Sequence, residues 1–360
     1  MDAKETTTTE FPTLTELKHS IPNECFESNL GMSLYYTVRA IVNATLTAAL
    51  LYAARSTPVI ADNVVLHTLA CVAYIYVQGV IFWGFFTVGH DCGHSAFSRY
   101  HSVNFIVGCI MHSAILTPFE SWRITHRHHH KNTGNVDKDE IFYPHRASKN
   151  LEDVRMWVYS LGAAWFVYLK VGYAPRTMHH FDPWDPLLIR RASAVIASLG
   201  FWVAFAAGYA YLTYSLGVAT MALYYFAPLF VFASFLVVTT FLHHNDEATP
   251  WYGDAEWTYV KGNLSSVDRS YGWFVDNLSH NIGTHQIHHL FPIIPHYNLN
   301  TATAHFAAKY PHLVRKSSKP IISAFMETAH LFVKYGCVPE TAQIFTLQDA
   351  AAGFVKSKTA

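Results

Sequence analysis

Four apolar runs, each long enough to cross a lipid bilayer as an α-helix, constrain the fold of this chain more than any other feature. They cover residues 36–54, 64–88, 192–214 and 218–242. A spanning helix needs about 20 mostly apolar residues, and only helices and closed barrels satisfy all backbone hydrogen bonds within hydrocarbon. The sequence therefore predicts an all-α integral membrane protein with four transmembrane helices.

Charge is scarce and balanced in this chain. Charged residues make up 14% of the 360 positions, whereas soluble domains carry about 25%. Lys+Arg and Asp+Glu number 25 each, so no net positive charge favours nucleic acid as a partner. The five cysteines are scattered and form no C-x-x-C zinc spacing. These features favour membrane lipid as the surrounding medium.

The distribution of Lys and Arg predicts the side of the membrane on which each connection lies. Residues 55–63 contain one basic residue and residues 215–217 contain none, whereas Arg and Lys are frequent between residues 123 and 191. Because basic residues gather in cytoplasmic connections, this long segment and both termini are expected on the cytoplasmic side. Two marginal apolar segments, residues 103–117 and 156–173, are expected to lie along the membrane or dip into it.

Three segments are predicted along the chain. Residues 1–34 form a cytosolic or interfacial segment without the features of a signal or transit peptide. Residues 35–320 form the membrane domain, and residues 321–360 form a cytosolic tail. The final residues, KSKTA at 356–360, match the K-x-K-x-x retrieval signal of endoplasmic-reticulum membrane proteins. The sequence thus predicts a multi-pass protein of the endoplasmic reticulum membrane.

Histidine is abundant, with 23 residues, and three histidine clusters have a helical spacing. Box one is HDCGH at 90–94, box two is HRHHH at 126–130, and box three is HQIHH at 285–289. Residues three or four apart share one face of a helix, so His128 points away from its neighbours. The positions on shared faces are His90 and His94, then His126, His129 and His130, then His285, His288 and His289.

These eight imidazoles are predicted to meet at one metal centre, because the span count places all three boxes on the cytoplasmic side. A structural zinc site needs four ligands, so eight indicate two metal ions and favour oxygen chemistry, other redox chemistry or two-metal hydrolysis. Imidazole suits Zn, Cu, Fe and Ni alike. His243 and His244 end the fourth run, and one of these adjacent residues is expected to face the same centre.

Residues close to the boxes are candidates to support the ligands. A metal-bound imidazole usually donates its other N–H to an acceptor. His280 lies off the face of box three and is expected beside the ligands rather than among them. The candidate acceptors, for each of which a solvated loop role is the alternative, are Asp91, Asp268, Asp276 and Asn281.

In combination, the three boxes resemble the membrane fatty-acyl desaturases, whose boxes have the forms HxxxH, HxxHH and HxxHH. The resemblance extends from Phe11 to beyond Pro311. It implies a four-span bundle beneath a cytosolic helical cap that holds two iron ions, with the boxes as ligands and His244 rather than His243 as a further one. It also implies that the irons and O₂ remove two hydrogens from neighbouring methylenes, which leaves a cis double bond and water.

The residues around the boxes resemble the omega-3 members of that family. The stretches that carry this resemblance are HDCGH at 90–94, VDRSYGW at 267–273 and NIGTHQIHHLFP at 281–292. Delta-12 members typically have Glu in place of Asp91 and Ala in place of Ile287, although NTG at 132–134 resembles the delta-12 pattern. The resemblance implies omega-3 desaturation of omega-6 C18 and C20 acyl chains, which converts linoleate to alpha-linolenate and arachidonate to eicosapentaenoate.

The implied reaction, a step of unsaturated fatty acid biosynthesis, needs a substrate and electrons from outside the chain. The substrate is a fatty acyl chain on phospholipid or coenzyme A. The chain contains no His-Pro-Gly-Gly haem-binding segment, so a separate cytochrome b5 and its NADH-dependent reductase are the implied donors.

A double bond near the methyl end requires a stop for the acyl tail. A closed apolar tunnel provides one, since each buried CH₂ contributes about 0.8 kcal/mol. The candidate lining residues, for which ordinary packing is the alternative, are Trp83, Phe85, Phe86, Tyr225 and Phe235.

Other functions share parts of this pattern. Delta-12 desaturases and fatty acyl hydroxylases use the same scaffold and differ in product. A His-rich metal transporter would place its ligands within the spans near the midplane, whereas these boxes flank the spans. A zinc protease would carry H-E-x-x-H, which this chain lacks, and a haem-binding bundle would use only one or two of the histidines.

Overall fold

The computed structural model describes residues 11–149 and 151–353, and these are mostly helical. The α-helices are α1 (Leu14–Lys18), α2 (Leu30–Arg55), α3 (Pro58–Ala61), α4 (Val64–His94), α5 (His101–Ser113), α6 (Phe119–Asn132), α7 (Glu152–Arg155), α8 (Gly162–Val171), α9 (Ala192–Leu216), α10 (Val218–Met221), α11 (Ala227–His244), α12 (Tyr259–Leu264), α13 (Trp273–Leu278), α14 (His285–Leu290), α15 (His296–Lys309), α16 (Ile321–Tyr335) and α17 (Leu347–Ala351). Short 3-10 turns lie at Asn23–Phe26, Ala147–Lys149, Met156–Ser160, Ile189–Arg191 and Pro311–Leu313.

Four helices in the described ranges are long and apolar enough to cross a membrane. They are α2, α4, α9 with the turn before it, and the continuous helix Val218–His244, in which a π turn at Ala222–Phe226 joins α10 to α11. Each predicted run lies within one of these helices, so the predicted all-α, four-helix membrane fold is confirmed. Helices α4 and α11 continue beyond their apolar runs and end on histidines, His94 and His244.

Polar residues set the ends of the long helices. The side chains of Asn29 and Asn63 accept backbone hydrogen bonds in the first turns of α2 and α4, as N-cap residues do. Ser95, with φ of +63°, ends α4 in the left-handed conformation. Thr13 and Glu16 form a capping box at the start of α1.

Helix α4 lies at the centre of the bundle, packed between α2 and α11, while α9 lies against α5 and α6. The two marginal apolar segments form the short helices α5 and α8, of 13 and 10 residues. A span needs about 20 residues, so neither is long enough to cross the membrane. Short connections join α2 to α4, through α3, and α9 to α10 at one end of the bundle. Helices α6, α7 and α12 to α17 form a cap at the other end, where α4 and α11 end.

Three pairs of two-residue strands tie the cap together. They are β1 (His145–Arg146) with β5 (Cys337–Val338), parallel; β2 (Trp251–Tyr252) with β6 (Ile344–Phe345), antiparallel; and β3 (Asp268–Arg269) with β4 (Lys316–Ser317), parallel. Helix α16 also packs on α11. Residues 321–353 are therefore part of the folded cap.

The N-terminal segment packs under the helix of box three. Leu17, Ile21 and Cys25 are buried in one apolar cluster with Ile287 and Leu290 of α14. This cluster is separate from the large aromatic core between the long helices, and it fixes the face of α14 opposite to its histidines.

Candidate metal centre

Box one occupies the last two turns of α4. His90 and His94 lie one turn apart with ring centroids separated by 4.7 Å, and both are buried. Because α4 packs between two other long helices, these imidazoles are held at the end of the central helix of the bundle.

Box two lies on α6. His126, His129 and His130 point toward box one and box three, and the ring of His126 stacks on Trp122 with a centroid distance of 4.5 Å. The side chain of His128 is 35% exposed and pairs with Glu140. The shared helical face thus separates the inward histidines from His128 as the spacing predicts.

Box three lies on the six-residue helix α14, which is too short to be stable alone. Asp268 holds its first turn: one carboxylate oxygen accepts hydrogen bonds from the backbone N–H groups of His285 and Gln286, at 2.7 and 2.8 Å. The Gln286 side chain donates to the carbonyl oxygens of Leu264 and Leu313, at 2.8 Å each. These contacts lock the helix so that its three histidines face the centre.

His244 rather than His243 faces the centre. The Nε2 atom of His244 lies 3.1 Å from that of His285. His243 instead stacks on His285, and its ring nitrogens lie at hydrogen-bond distance from the Val267 carbonyl and the Tyr271 hydroxyl. His243 therefore holds a neighbouring ring in place and has no nitrogen left for a metal ion.

All nine histidines meet in two adjoining groups. The groups are His90, His94, His126, His130 and His288, and His129, His244 and His289, with the ligand atoms of each within 4.8 Å of one another. His285 joins the second group, since its Nε2 atom lies 2.9 Å from that of His289. The stacked rings of His130 and His289, with centroids 4.1 Å apart, connect the groups.

The nitrogen separations suit a shared cation in each group. Five Nε2 pairs lie 2.9–3.2 Å apart. Two nitrogens bound at about 2.0–2.1 Å to one metal ion are about 3 Å apart when their bonds meet near a right angle. In addition, the buried Nε2 atom of His94 has no hydrogen-bond partner among the described residues. The donor set therefore fits one metal ion per group.

Burial keeps the imidazoles of His126, His130 and His289 neutral. Loss of hydration, followed by repulsion from neighbouring imidazoles, holds the pKa values of His126, His130 and His289 well below the ordinary value. A metal ion binds only the unprotonated nitrogen of an imidazole. These rings are therefore in the protonation state that a metal ion requires at neutral pH.

Asp91 and His280 lie beside the centre, although Asp91 is too far from His90 to accept the predicted hydrogen bond from a ligand. One oxygen of Asp91 is 3.8 Å from Nδ1 of His90, and the other is 2.7 Å from Nδ1 of His296. His280 stacks on His296 with ring centroids 4.8 Å apart. His296, which the sequence analysis did not single out, therefore completes a buried Asp-His arrangement behind box one.

The predicted role of Asp268, Asp276 and Asn281 needs correction, because in the described part of the chain none of them receives a hydrogen bond from the nine imidazole rings. Asp268 binds the backbone of α14, as described above. Asp276 accepts from the Tyr271 N–H and the Ser270 hydroxyl. Asn281 adopts a positive φ of 58° in the turn before box three. All three shape the backbone that carries the ligands.

Other residues contact the ring nitrogens that face away from the centre. Oδ1 of Asp139 lies 2.5 Å from Nδ1 of His129. Oγ1 of Thr133 and Oδ1 of Asn263 lie 3.0 and 3.3 Å from Nδ1 of His289. Thr133 is the one of these residues whose spacing is informative, because it follows His129 by four residues. Asp139 lies in an irregular segment with no periodicity.

An apolar cavity opens onto both histidine groups. Rings of His90, His126, His129, His244, His285 and His289 form one wall. The other walls include Trp83, Phe86, Trp122, Phe142, Ala164, Trp165 and Leu236. An apolar chain in this cavity would lie directly against the imidazoles.

Two of the five predicted tunnel residues, Trp83 and Phe86, line this cavity. The other three, Phe85, Tyr225 and Phe235, are not among the residues that line it. Phe85 points from the neighbouring face of α4 and packs on Phe82, and Phe235 packs behind Trp83. Tyr225 stacks on a tyrosine of α9 and donates its hydroxyl to the carbonyl of Ala114.

Known proteins resemble this chain over most of its length. The family model for fatty acid desaturase matches residues 66–318. An sn-1 acyl-lipid omega-3 desaturase (ferredoxin) of Nostoc sp. (strain 36) is 39% identical over 323 residues, which cover 87% of this chain and 86% of that protein. The endoplasmic reticulum omega-3 fatty acid desaturase of Nicotiana tabacum is 36% identical over 322 residues, covering 87% and 78%.

A third relative, the chloroplastic omega-3 fatty acid desaturase of Ricinus communis, is 37% identical over 300 residues, which are 81% of this chain and 63% of that protein. The residues matched by the family model include all three histidine boxes and His244. The chain belongs to the fatty acid desaturase family of oxidoreductases.

Proposed function

We propose that this chain is an omega-3 fatty acid desaturase that inserts a cis double bond into omega-6 acyl chains of 18 and 20 carbons, linoleate and arachidonate among them. The observation that carries the proposal is the apolar cavity whose wall contains imidazoles of both histidine groups. A buried acyl chain would place unactivated methylenes against that wall. The omega-3 position is supported by the names of the relatives.

The nine histidines are the proposed ligands of two iron ions. With O₂, bound iron would supply the oxidising power to remove one hydrogen from each of two adjacent carbons. Two electrons and two protons from outside complete the reduction of O₂ to two water molecules. The chain itself orients the ligands through Asp139 and Thr133, and the walls formed by Trp83, Phe86 and Trp165 keep water away from the acyl chain.

Expression in yeast supplied with linoleate or arachidonate tests the reaction. We expect alpha-linolenate and eicosapentaenoate, each with the new cis bond three carbons from the methyl end, in cells that make the protein and not in cells with an empty vector. A delta-12 product from endogenous oleate, or a hydroxylated acyl chain, would contradict the omega-3 assignment and favour the other enzymes of this scaffold.

Ala164 is the smallest side chain of the cavity wall named above, and its replacement tests the acyl tunnel. Ala164→Leu should shift product formation from 20-carbon toward 18-carbon substrates, because a misfit of one methylene in an apolar site changes specificity about 10- to 200-fold. Fatty-acid profiles from mixed feeding give the ratio. The matched control is Ala163→Leu on the exposed face of the same helix, and an equal ratio in both variants would argue against the tunnel.

The acyl carrier, the electron donor and the location complete the proposal. The word acyl-lipid in the name of the Nostoc relative favours a lipid over coenzyme A as the carrier, and we propose a phospholipid. That name also gives ferredoxin as the donor, whereas the proposed location in the endoplasmic reticulum favours cytochrome b5 and its NADH-dependent reductase.

The retrieval signal at 356–360 lies outside the described residues. The basic cap segment between residues 123 and 191 supports a cytosolic metal centre.

A further inference from the structure

A second cavity, of about 370 Å³, lies between the end of α4, α5, α6 and the turn before α9. Its polar lining includes Glu120, Arg123 and Arg127 of α6, Arg191 of that turn, and His101 and Asn104 of α5. Neither histidine group of the metal centre contributes a ring to it. This arginine pocket is therefore a separate site, built partly on the helix that carries box two.

Positive charge exceeds negative charge in the arginine pocket. The carboxylate of Glu120 is fully buried and accepts a hydrogen bond from Nε of Arg123 at 2.7 Å, while Nη2 of Arg191 lies 3.3 Å from it. Nε of Arg127 donates to the carbonyl of Gly93 at 3.2 Å. Two guanidinium groups thus contact the one carboxylate and Arg127 contacts only a carbonyl, which leaves two positive charges uncompensated.

The excess charge is accessible from solvent, because Arg127 and Arg191 are both exposed. Loss of hydration and repulsion from Arg123 lower the pKa of Arg127, although arginine stays protonated in proteins. Like charges held this close repel one another, and an anion that enters the site removes that repulsion. The planar guanidinium groups present several free N–H donors, an arrangement that suits the oxygens of phosphate.

The pocket lies beside the ends of two helices that are long and apolar enough to cross a membrane, where lipid phosphates are expected. Helix α4 ends at His94, beside Gly93, and α9 begins at Ala192, next to Arg191. The hydrocarbon core is about 30 Å thick, and headgroups occupy the layers just outside it. The Arg191 side chain is 58% exposed, so the pocket opens outward at this boundary.

We propose that the arginine pocket binds the phosphate of a membrane phospholipid headgroup. Because α6 carries both Arg127 and box two, a lipid held there would be anchored to the helix that carries two of the five imidazoles in the first histidine group. That this lipid carries the substrate acyl chain rests on the proposed function, whereas phosphate binding does not. The two proposals are tested by separate measurements.

Binding is measured with the purified full-length protein by native mass spectrometry after addition of dioleoyl phosphatidylcholine. Monogalactosyl diacylglycerol with the same acyl chains, which lacks phosphate, is the comparison lipid, and inorganic phosphate is the competitor. We expect one phosphatidylcholine per protein, and about tenfold weaker retention in Arg127→Gln and Arg191→Gln. Arg55→Gln removes an exposed arginine at the opposite end of the bundle and is expected to bind like the unaltered protein.

Three outcomes would overturn the proposal: equal retention of the galactolipid, equal retention by all variants, or tight binding of inorganic phosphate without retention of phospholipid. Arg191→Gln keeps the test decisive if Arg127→Gln disturbs folding, because Arg191 is largely exposed. No turnover is needed, so a failed feeding experiment with intact phosphatidylcholine binding would reject the proposed function alone.

Discussion

Replacing His129 by Ala is expected to abolish desaturation and to lower the iron content of the purified protein, whereas His128→Ala is expected to change neither. His129 is buried, and its Nε2 atom lies 3.2 Å from that of His244 in the second histidine group. Loss of an outer residue that orients a ligand costs about 10- to 100-fold in metal affinity or activity. Loss of the ligand itself should therefore exceed about 100-fold.

His128 is the matched control for this substitution. It belongs to the same box and the same helix, but its side chain is 35% exposed and turns toward Glu140. Iron is measured by elemental analysis per mole of folded protein, and activity by product formation in yeast. Full iron content and activity in His129→Ala would remove His129 from the ligand set and would undermine the two-iron proposal.

The sequence predicted the parts of this fold that obey a simple period or a strong solvent constraint. Lipid requires long apolar helices, so the four spans followed directly from the apolar runs. The spacing of three and four residues placed the eight box histidines on inward faces and turned His128 outward. Both predictions depend on local helical geometry, which holds in α4, α6 and α14.

Features that depend on contacts between distant parts of the chain could not be predicted from the sequence. Asp268 supports box three from a strand, and Leu17 packs beneath the same helix from the N-terminal segment. Neither relation has a period that could be recognised in advance. The π turn at Ala222–Phe226 changes the helical phase within the fourth span, so the direction of Tyr225 could not be extrapolated from its neighbours.

The role of Asp139 could not be predicted from the sequence either, because no periodicity marks it. It supports the metal centre more directly than any acceptor that the sequence suggested. It is fully buried in the irregular segment after α6. One carboxylate oxygen contacts Nδ1 of His129 at 2.5 Å and the N–H of Glu140 at 2.7 Å, while the other accepts from the N–H of Gly134 at 2.9 Å. A carboxylate in this position holds the proton of His129 on Nδ1 and leaves Nε2 free for a metal ion.

Asp139→Asn is therefore expected to lower iron affinity and activity about 10- to 100-fold while the protein still folds. An amide has one oxygen, so its NH₂ group must face either Gly134 or His129. When it faces His129 it donates to Nδ1, which favours the proton on Nε2 and blocks the metal-binding nitrogen. Loss of iron to a chelator of graded concentration, measured beside the melting temperature, separates this effect from unfolding.

Asp137→Asn is the control, since the same change is made two residues away at a partly exposed carboxylate that pairs with Arg146. It is expected to retain iron as the unaltered protein does. If Asp139→Asn resisted the chelator equally well, His129 would not depend on this carboxylate for its tautomer. The Asp139 carboxylate, which accepts the Nδ1 proton of His129, would then have no part in binding iron. The proposal that Asp139 orients a ligand of the second histidine group would be rejected.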